Sequence, residues 1–307
     1  METNDIKIAQ KAILKVFKAY VSFCEKNGLS YYAVGGTCLG AIRHKGYIPW
    51  DDDIDVAMPR DDYEKLISLR KKLQGTGYEI YNFGDSSEES GTYITPFAKF
   101  CNANSTIWEK KGDPFIFGIY IDIFPYDDVN DIDKSRKLFL KYRKTTEYLH
   151  YSWHNWDKKD LIRALKGNHP RDLTRFFLYS LMPNFLRHKV QTHFFDLAKK
   201  LEKKVINHEG NYCICYCGSY SFDKEIMSKN IFGRGVKVPF EDTEIVVPEN
   251  YLEYLKHFFG DWQTPPPPEQ RISHHYRYYI NYNERHSLDY IRKLNLPEED
   301  DIDYEYI

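Results

Sequence analysis

The stretch that decides the fold lies at residues 48–56 and reads Ile-Pro-Trp-Asp-Asp-Asp-Ile-Asp-Val. It places four acids within five positions between apolar residues, which a solvated acidic loop would not need. Residues two apart on a strand point to the same face, so Asp51, Asp53 and Asp55 are predicted to share one side while Asp52 points away. We therefore expect a strand over 53–58 that is anchored in the core and carries a row of carboxylates.

These carboxylates indicate a metal site. Acids held together near a core repel one another and would take up protons unless a cation neutralises them. A hard divalent cation, Mg²⁺ or Mn²⁺, suits carboxylate oxygen ligands best. A further ligand is expected from a separate segment, and Asp122 is the single acid of the apolar strand predicted at 119–124. The apolar surroundings favour metal ligation by Asp122 over a strand position that faces water.

A glycine turn precedes the acidic stretch. A short strand is predicted at 31–34, Gly35 and Gly36 interrupt it, and a helix is expected over 37–44 with Thr37 as its cap. Such a turn at a helix start presents backbone N–H groups and the positive end of the helix dipole to an anion. Most Gly-Gly pairs are only turns, so the anion site depends on the acidic strand that follows.

Basic residues that could contact a phosphate occur in two places. Arg43 and Lys45 lie at the C-terminal end of the predicted helix and either hold phosphate oxygens or belong to a solvated helix end. Lys99 lies on the apolar strand predicted at 93–100, just before Asp122. It either reaches a donor phosphate or forms a structural pair with an acid.

The remaining pattern divides the chain into four parts. Helices are predicted over 5–27, 61–73, 250–259 and throughout 131–208, and further strands at 78–82, 212–217 and 243–247. We expect a catalytic core over 1–128, a helical region over 129–210, a part that returns to the core over 211–280, and an acidic tail over 281–307. The predicted helix at 61–73 begins with a capping box formed by Asp61 and Glu64. Cys213, Cys215 and Cys217 alternate, which favours a buried strand face over a metal site.

Composition excludes several classes of protein. The 307 residues are 42% hydrophobic and 29% charged with a formal net charge of −2, so the chain is typical of a folded globular protein without the basic excess of nucleic-acid binders. No apolar run is long enough to span a bilayer, and the N-terminus lacks a secretory signal, so a cytoplasmic protein is expected. Residues 174–186 are apolar and flanked by basic residues. This segment is either an interfacial helix at the inner face of the membrane or a buried amphipathic helix.

Three stretches resemble a known family. Residues 35–46 (Gly-Gly-Thr-Cys-Leu-Gly-Ala-Ile-Arg-His-Lys-Gly), the acidic stretch at 48–55 and the run Tyr-Ile-Asp-Ile-Phe-Pro at 120–125 are similar to the LicD family of bacterial phosphotransferases. Good resemblance covers roughly 31–126. A fainter similarity follows at 247–274, where Arg271 and His274 match the family's tail and are expected near the nucleotide or the acceptor.

The resemblance implies an α/β (α+β) fold, namely a nucleotidyltransferase core with a mixed sheet, related to DNA polymerase beta, into which the helical region is inserted. It implies metal binding by Asp53, Asp55 and Asp122. For the proton of the attacking hydroxyl, either Asp122 or Asp51 is expected as the base. It also implies transfer of phosphocholine from CDP-choline to a sugar hydroxyl of teichoic acid, lipopolysaccharide or capsule, with a glycan or lipid-linked glycan as acceptor.

Other activities remain open at this point. Fukutin relatives of the family transfer ribitol phosphate from a CDP donor, so CDP-glycerol or CDP-ribitol is an alternative donor. True nucleotidyl transfer from a nucleoside triphosphate would use the same acids. A metal- or nucleotide-binding scaffold in a glycan-assembly complex is the alternative without catalysis, although a binding module has no need of such a costly acidic cluster.

Overall fold

The computed structural model describes residues 3–154, 156, 158–166, 170–273 and 277–296. The helices are α1 Thr3–Asn27, α2 Gly35–His44, α3 Arg60–Ser68, α4 Ile132–Trp153, α5 Lys158–Lys166, α6 Pro170–Ser180, α7 Asn184–Val205, α8 Phe222–Glu225, α9 Tyr251–Phe259 and α10 Leu288–Arg292. The strands are β1 Tyr32–Ala33, β2 Asp55–Pro59, β3 Tyr78–Tyr81, β4 Ser86–Ser87, β5 Gly91–Thr92, β6 Ala98–Asn102, β7 Thr106–Trp108, β8 Tyr120–Val129, β9 Tyr212–Ile214, β10 Ile226–Ser228, β11 Val236–Phe240, β12 Thr243–Val247 and β13 Tyr279–Asn281.

The central sheet is mixed and has seven strands. Its order is β1-β2-β8-β6-β3, and β9 pairs with the C-terminal end of β8 and with β10. Only the β2–β8 pair is parallel within this sheet, and every other pair is antiparallel. The predicted α+β class with a mixed sheet is therefore confirmed.

The core forms where α1, α2 and α9 pack against this sheet. The apolar stripe of α1, which includes Phe17 and Tyr20, is completely buried against Phe100 of β6 and its neighbours. Leu255 and Phe258 of α9 join the same core. Residues after 210 therefore complete the core that the first 126 residues begin.

The helical region begins at Ile132 and ends at Val205. α4 and α7 pack along one another, and α5 packs against α6. Phe139 and Tyr142 of α4 with Leu201 of α7 form a second buried cluster around β9. In the part of the chain that the structure describes, no helix combines the length and the apolar character needed to cross a bilayer.

Two predicted helix caps are wrong. α2 begins at Gly35 rather than after Thr37, and its cap residue, Val34, contributes no side-chain hydrogen bond. The Thr37 hydroxyl instead accepts the Asp55 N–H at 2.8 Å. The capping box at 61–64 is also absent, because α3 begins at Arg60 and the Asp61 carboxylate contacts His208.

The first part of the predicted acidic tail packs against the rest of the chain. β13 pairs with β7, and Leu288 and Ile291 of α10 are buried with Trp108 and Ile116. Residues 281–296 therefore pack on the core, and 297–307 lie outside the described residues. Cys213 and Cys215 are buried and Cys217 is half-buried, but the strand predicted over 212–217 ends at Ile214, so only Cys213 of the three lies on a strand.

Candidate active site

Two carboxylates lie side by side where β2 and β8 run parallel. The register of this pair places Asp55 opposite Asp122. Opposed residues on adjacent strands point to the same face and are separated by about 4.8 Å along the hydrogen-bonding direction. Asp55 and Asp122, taken from segments 67 positions apart, thus project from one face of the sheet.

Lys99 completes this row on the neighbouring strand. The β6–β8 register pairs Lys99 with Asp122, and its ammonium group lies 2.7 Å from Asp122 Oδ1 and 3.4 Å from the centre of the Tyr120 ring. Burial raises the pKa of Asp122 to about 6 although Lys99 opposes the shift, and the charges of Glu109 and Asp53 add to it. Burial lowers the pKa of Lys99, but Asp122 and Glu109 outweigh burial and leave that pKa above its usual value. Of the two roles considered for Lys99, the structure shows the pair with an acid.

The glycines at the start of α2 lie against two of the acids. A Cβ at Gly35 would lie 3.7 Å from Asp55 Oδ2, and a Cβ at Gly36 would lie 2.9 Å from Asp51 Oδ2. Gly35 has φ +53°, a conformation that glycine adopts without steric cost. Its N–H donates to the Tyr254 hydroxyl at 2.8 Å, so this donor of the expected anion cradle is already used.

Gly36 and Gly40 allow the acidic stretch to fold back along α2. They lie four residues apart and therefore on the same face of the helix. A Cβ at Gly40 would lie 2.5 Å from the Gly46 carbonyl and 3.1 Å from the Ile48 nitrogen. The chain from 46 to 51 thus packs directly on the helix backbone, which returns Asp51 to the helix start.

Asp52 is fully buried, and it precedes β2, which begins at Asp55 rather than at 53, so the predicted strand alternation does not apply to it. Its carboxylate forms an ion pair with Arg277, accepts the Ser273 hydroxyl at 2.8 Å, and its carbonyl accepts from Arg277 at 3.0 Å. A buried carboxylate of this kind has to be paired. Asp52 therefore fixes the C-terminal segment to the acidic stretch.

Two predicted phosphate ligands, Arg43 and Arg271, lie near one another. The Arg271 guanidinium lies 5.4 Å from the Trp50 ring centre, and Arg43 donates to the Trp262 carbonyl at 2.9 Å. Burial lowers the pKa of Arg43, and the charge of Arg271 lowers it further. No carboxylate of the described residues forms an ion pair with either arginine, so the two charges remain available to an anion. Lys45 is exposed at the C-terminal end of α2, about 15 Å along the helix from Gly35.

The predicted metal ligands have the oxygen atoms that a divalent ion requires, but they are not grouped around one position. Asp53, Asp55 and Asp122 offer carboxylate oxygens, which Mg²⁺ prefers. Within the described ranges, however, no three His, Cys, Asp or Glu side chains are grouped so that they could hold one ion, and Asp122 contacts Lys99. Metal binding thus stays a prediction. His274, the remaining predicted ligand, lies outside the described residues.

Sequence reasoning did not identify three residues of this site. Arg277 pairs with Asp52, Glu109 lies 3.7 Å from the Lys99 ammonium, and Tyr254 holds the Gly35 N–H. The only signal for Arg277 was the buried position of Asp52, which requires a cation. Nothing in the sequence pattern indicated Glu109 or Tyr254.

Comparison with known proteins identifies relatives over most of the chain. Residues 28–162 match the family model described as LicD/FKTN/FKRP, nucleotidyltransferase domain. The lipopolysaccharide cholinephosphotransferase LicD of Haemophilus influenzae is 29% identical over 275 residues, which cover 90% of this chain and 97% of that protein. The human and mouse ribitol 5-phosphate transferase FKRP are each 23% identical over 146 residues, 45% of this chain and 25% of theirs. The family model includes the acidic stretch, and the Haemophilus influenzae protein aligns with the greater part of the chain.

Proposed function

We propose that this chain, which matches the LicD/FKTN/FKRP nucleotidyltransferase-domain model over residues 28–162 and is similar to a LicD cholinephosphotransferase over 90% of its length, is a phosphotransferase that moves a phosphoalcohol from a CDP-linked donor to a sugar hydroxyl of a cell-surface glycan. The observation that carries the proposal is the register of β2 and β8, which sets Asp55 beside Asp122 next to the glycines of α2. A binding scaffold would have no use for two neighbouring carboxylates kept half-buried at a helix start. The mixed sheet is, on this proposal, a nucleotidyltransferase fold.

Phosphocholine from CDP-choline is the proposed cargo. Support comes from the Haemophilus influenzae cholinephosphotransferase, which aligns with this chain along nearly its whole length. The ribitol phosphate transferases align with less than half of it, so CDP-ribitol and CDP-glycerol rank second. The acceptor is lipopolysaccharide, teichoic acid or capsule.

In the proposed reaction, basic residues bind the donor and an acidic residue accepts a proton. Arg43 and Arg271 bind the diphosphate of the donor beside Trp50, because two guanidinium groups there can both contact phosphate oxygens. Asp122 or Asp51 accepts the proton of the sugar hydroxyl as it attacks phosphorus in line. Lys99 holds Asp122 in position through its 2.7 Å contact.

We also propose that Mg²⁺ or Mn²⁺ is required, held by Asp53, Asp55 and Asp122. Such an ion supplies charge neutralisation at the transferred phosphoryl group. The support is the donor chemistry and the proximity of Asp53 and Asp55 to Asp122, rather than a preformed three-carboxylate group.

The test is product analysis with a panel of donors. The full chain is incubated with CDP-choline, CDP-glycerol, CDP-ribitol or a nucleoside triphosphate, together with glycan acceptor and Mg²⁺, and products are read by mass spectrometry. We expect CMP and a phosphocholine-modified glycan. Release of pyrophosphate from a triphosphate would instead establish nucleotidyl transfer, and no turnover of any donor would leave the scaffold as the correct function.

Matched asparagine variants locate the reaction. Asp53→Asn and Asp55→Asn should fold normally by circular dichroism and lose transfer, because each removes one repelling charge and one oxygen ligand. Asp61→Asn is the control, since its carboxylate is exposed on α3 and contacts only His208 among the residues described. Excess EDTA should abolish transfer and added Mg²⁺ should restore it, whereas full turnover in EDTA would refute the metal requirement.

A further inference from the structure

Large apolar side chains are exposed at one corner of the helical region. Seven of the fifteen exposed large apolar side chains among the described residues fall between 162 and 186. Five surround the junction of α6 and α7, namely Phe177, Leu178, Leu181, Phe185 and Leu186. Ile162 and Leu165 add to them from α5, which packs against α6. We call this set the α5–α7 surface.

The helices that carry this surface are fixed by contacts with one another and with α4. Trp156 and Tyr179 stack with ring planes 8° apart, and Tyr179 is buried. Arg187 of α7 donates to the Tyr179 carbonyl at 2.6 Å, which ties the start of α7 to the end of α6. Arg175 bonds to Glu147 of α4. The exposed side chains are therefore presented by a packed scaffold.

The segment that forms the α5–α7 surface is strongly basic in sequence. Residues 158–189 contain eight Lys or Arg and two Asp or Glu, in a chain whose net charge is −2. Arg171 and Lys189, which flank the apolar side chains, are exposed. Apolar side chains rimmed by basic residues match the chemistry of an anionic lipid surface, which offers acyl chains below and negative headgroups at the same level.

We infer that the α5–α7 surface docks on an anionic membrane, with the apolar side chains at the α6–α7 junction inserted between headgroups. A symmetric contact with a second copy is disfavoured, because it would bring two positive surfaces together. The inference stands apart from the proposed function, since it concerns where the protein binds and not what it transfers. A lipid-linked glycan acceptor would be presented at the same membrane.

The test is co-sedimentation of the full chain with vesicles. Vesicles of phosphatidylcholine with about one third phosphatidylglycerol should pellet the protein, while pure phosphatidylcholine should bind it roughly tenfold more weakly or less. Binding to the anionic vesicles should fall as NaCl is raised from 50 to 500 mM, because salt screens the basic residues.

A pair of leucine variants supplies the matched control. Leu178→Gln on α6 should weaken vesicle binding by roughly tenfold or more, because the insertion of one leucine is lost. Leu252→Gln on α9 should bind as the unchanged chain does, since Leu252 is equally exposed, 57% against 56%, but lies outside the α5–α7 surface. Both residues are exposed, so both variants should fold, which circular dichroism checks.

Four outcomes would overturn the inference. The first is that the protein does not pellet with anionic vesicles at low salt, and the second is that Leu178→Gln binds vesicles as well as the unchanged chain. The third is that Leu252→Gln loses as much vesicle binding as Leu178→Gln. The fourth is that sedimentation equilibrium shows a concentration-dependent dimer that Leu178→Gln abolishes. Transfer to a soluble glycan should be the same for both variants, so a failure of the docking surface is distinguished from a failure of the proposed reaction.

Discussion

Replacing Arg277 by methionine should destabilise the protein strongly, because Arg277 is the partner of a buried charge. Asp52 has no exposed surface and the Arg277 side chain is 5% exposed. Methionine preserves much of the apolar volume of the arginine side chain and removes the charge and its hydrogen bonds to the Asp52 carboxylate and carbonyl. The variant therefore leaves the Asp52 carboxylate in the core without the guanidinium that neutralises it, while the Ser273 hydroxyl still donates to it.

The expected loss follows from burial. Removing one partner of a buried ion pair costs about 3–5 kcal/mol, whereas exposed pairs contribute about 1 kcal/mol or less. Since stabilities of folded domains lie around 5–15 kcal/mol, a loss of this size should lower the melting temperature on the order of 10 °C. The double variant Asp52→Asn/Arg277→Met should recover much of the loss, because the uncompensated charge is gone.

Urea unfolding followed by circular dichroism measures these differences. Arg60→Met is the matched control, since Arg60 forms an equally buried pair with Asp127, at 2.7 Å for both contacts, away from the acidic stretch. Both single variants should lose similar stability, but only Arg277→Met should also impair transfer under conditions where it is folded. A loss below about 1 kcal/mol, or a double variant no more stable than Arg277→Met, would refute the account of Asp52 as a buried charge held by Arg277.

Two further predictions concern the packing around the site. Gly40→Ala should destabilise the protein by about 1–3 kcal/mol in chemical denaturation, because its Cβ would lie 2.5 Å from the Gly46 carbonyl and the backbone has to move. A gain of about 1 kcal/mol, as helix propensity alone would give, would contradict the close packing. Burial raises the pKa of Glu225 from 4.5 to about 7. The folded state therefore holds the Glu225 proton more tightly than the unfolded state does. This contribution to stability, about 3 kcal/mol, is fully present below pH 4.5 and is lost as the pH rises through 7. Glu225→Gln should remove that slope from stability measured between pH 4 and 8, and an unchanged slope would show that Glu225 is not its source.

The periodic elements could be predicted from the sequence because their pattern is local. The stripe of α1 and the apolar alternation of β2 and β8 follow from burial of one face, and the structure places them within a few residues of the expected bounds. Asp55 and Asp122 could be selected from the sequence because each is an acid flanked by apolar residues, and a shared metal ion was the reason to expect them together. Short elements such as β7 and β13 were missed, because three residues carry no period.

The two helix caps were predicted wrongly because the side chains expected to cap the helices bond to residues far away in the sequence. Thr37 accepts a hydrogen bond from Asp55, and Asp61 contacts His208, 147 positions away. The role of Asp52 failed to emerge for a related reason, as its partner lies 225 positions along the chain. Sequence reasoning recognised that the acids needed cations, but the choice between a metal ion, Lys99 and Arg277 depends on the fold of the whole chain.

The four acids of the stretch at 51–55 occupy different environments although they are adjacent in sequence. Asp51 returns to the start of α2 because Gly36 and Gly40 leave room for the backbone, and Asp52 enters the core because Arg277 neutralises it. Asp55 enters β2, where the register with β8 sets it beside Asp122. A substitution of Gly36, Gly40 or Arg277 should therefore also displace acids of this stretch that the substituted residue does not contact. The close spacing of the acids is thus a consequence of packing as much as of chemistry, because one short segment has to contact a helix, the core and a strand within five residues.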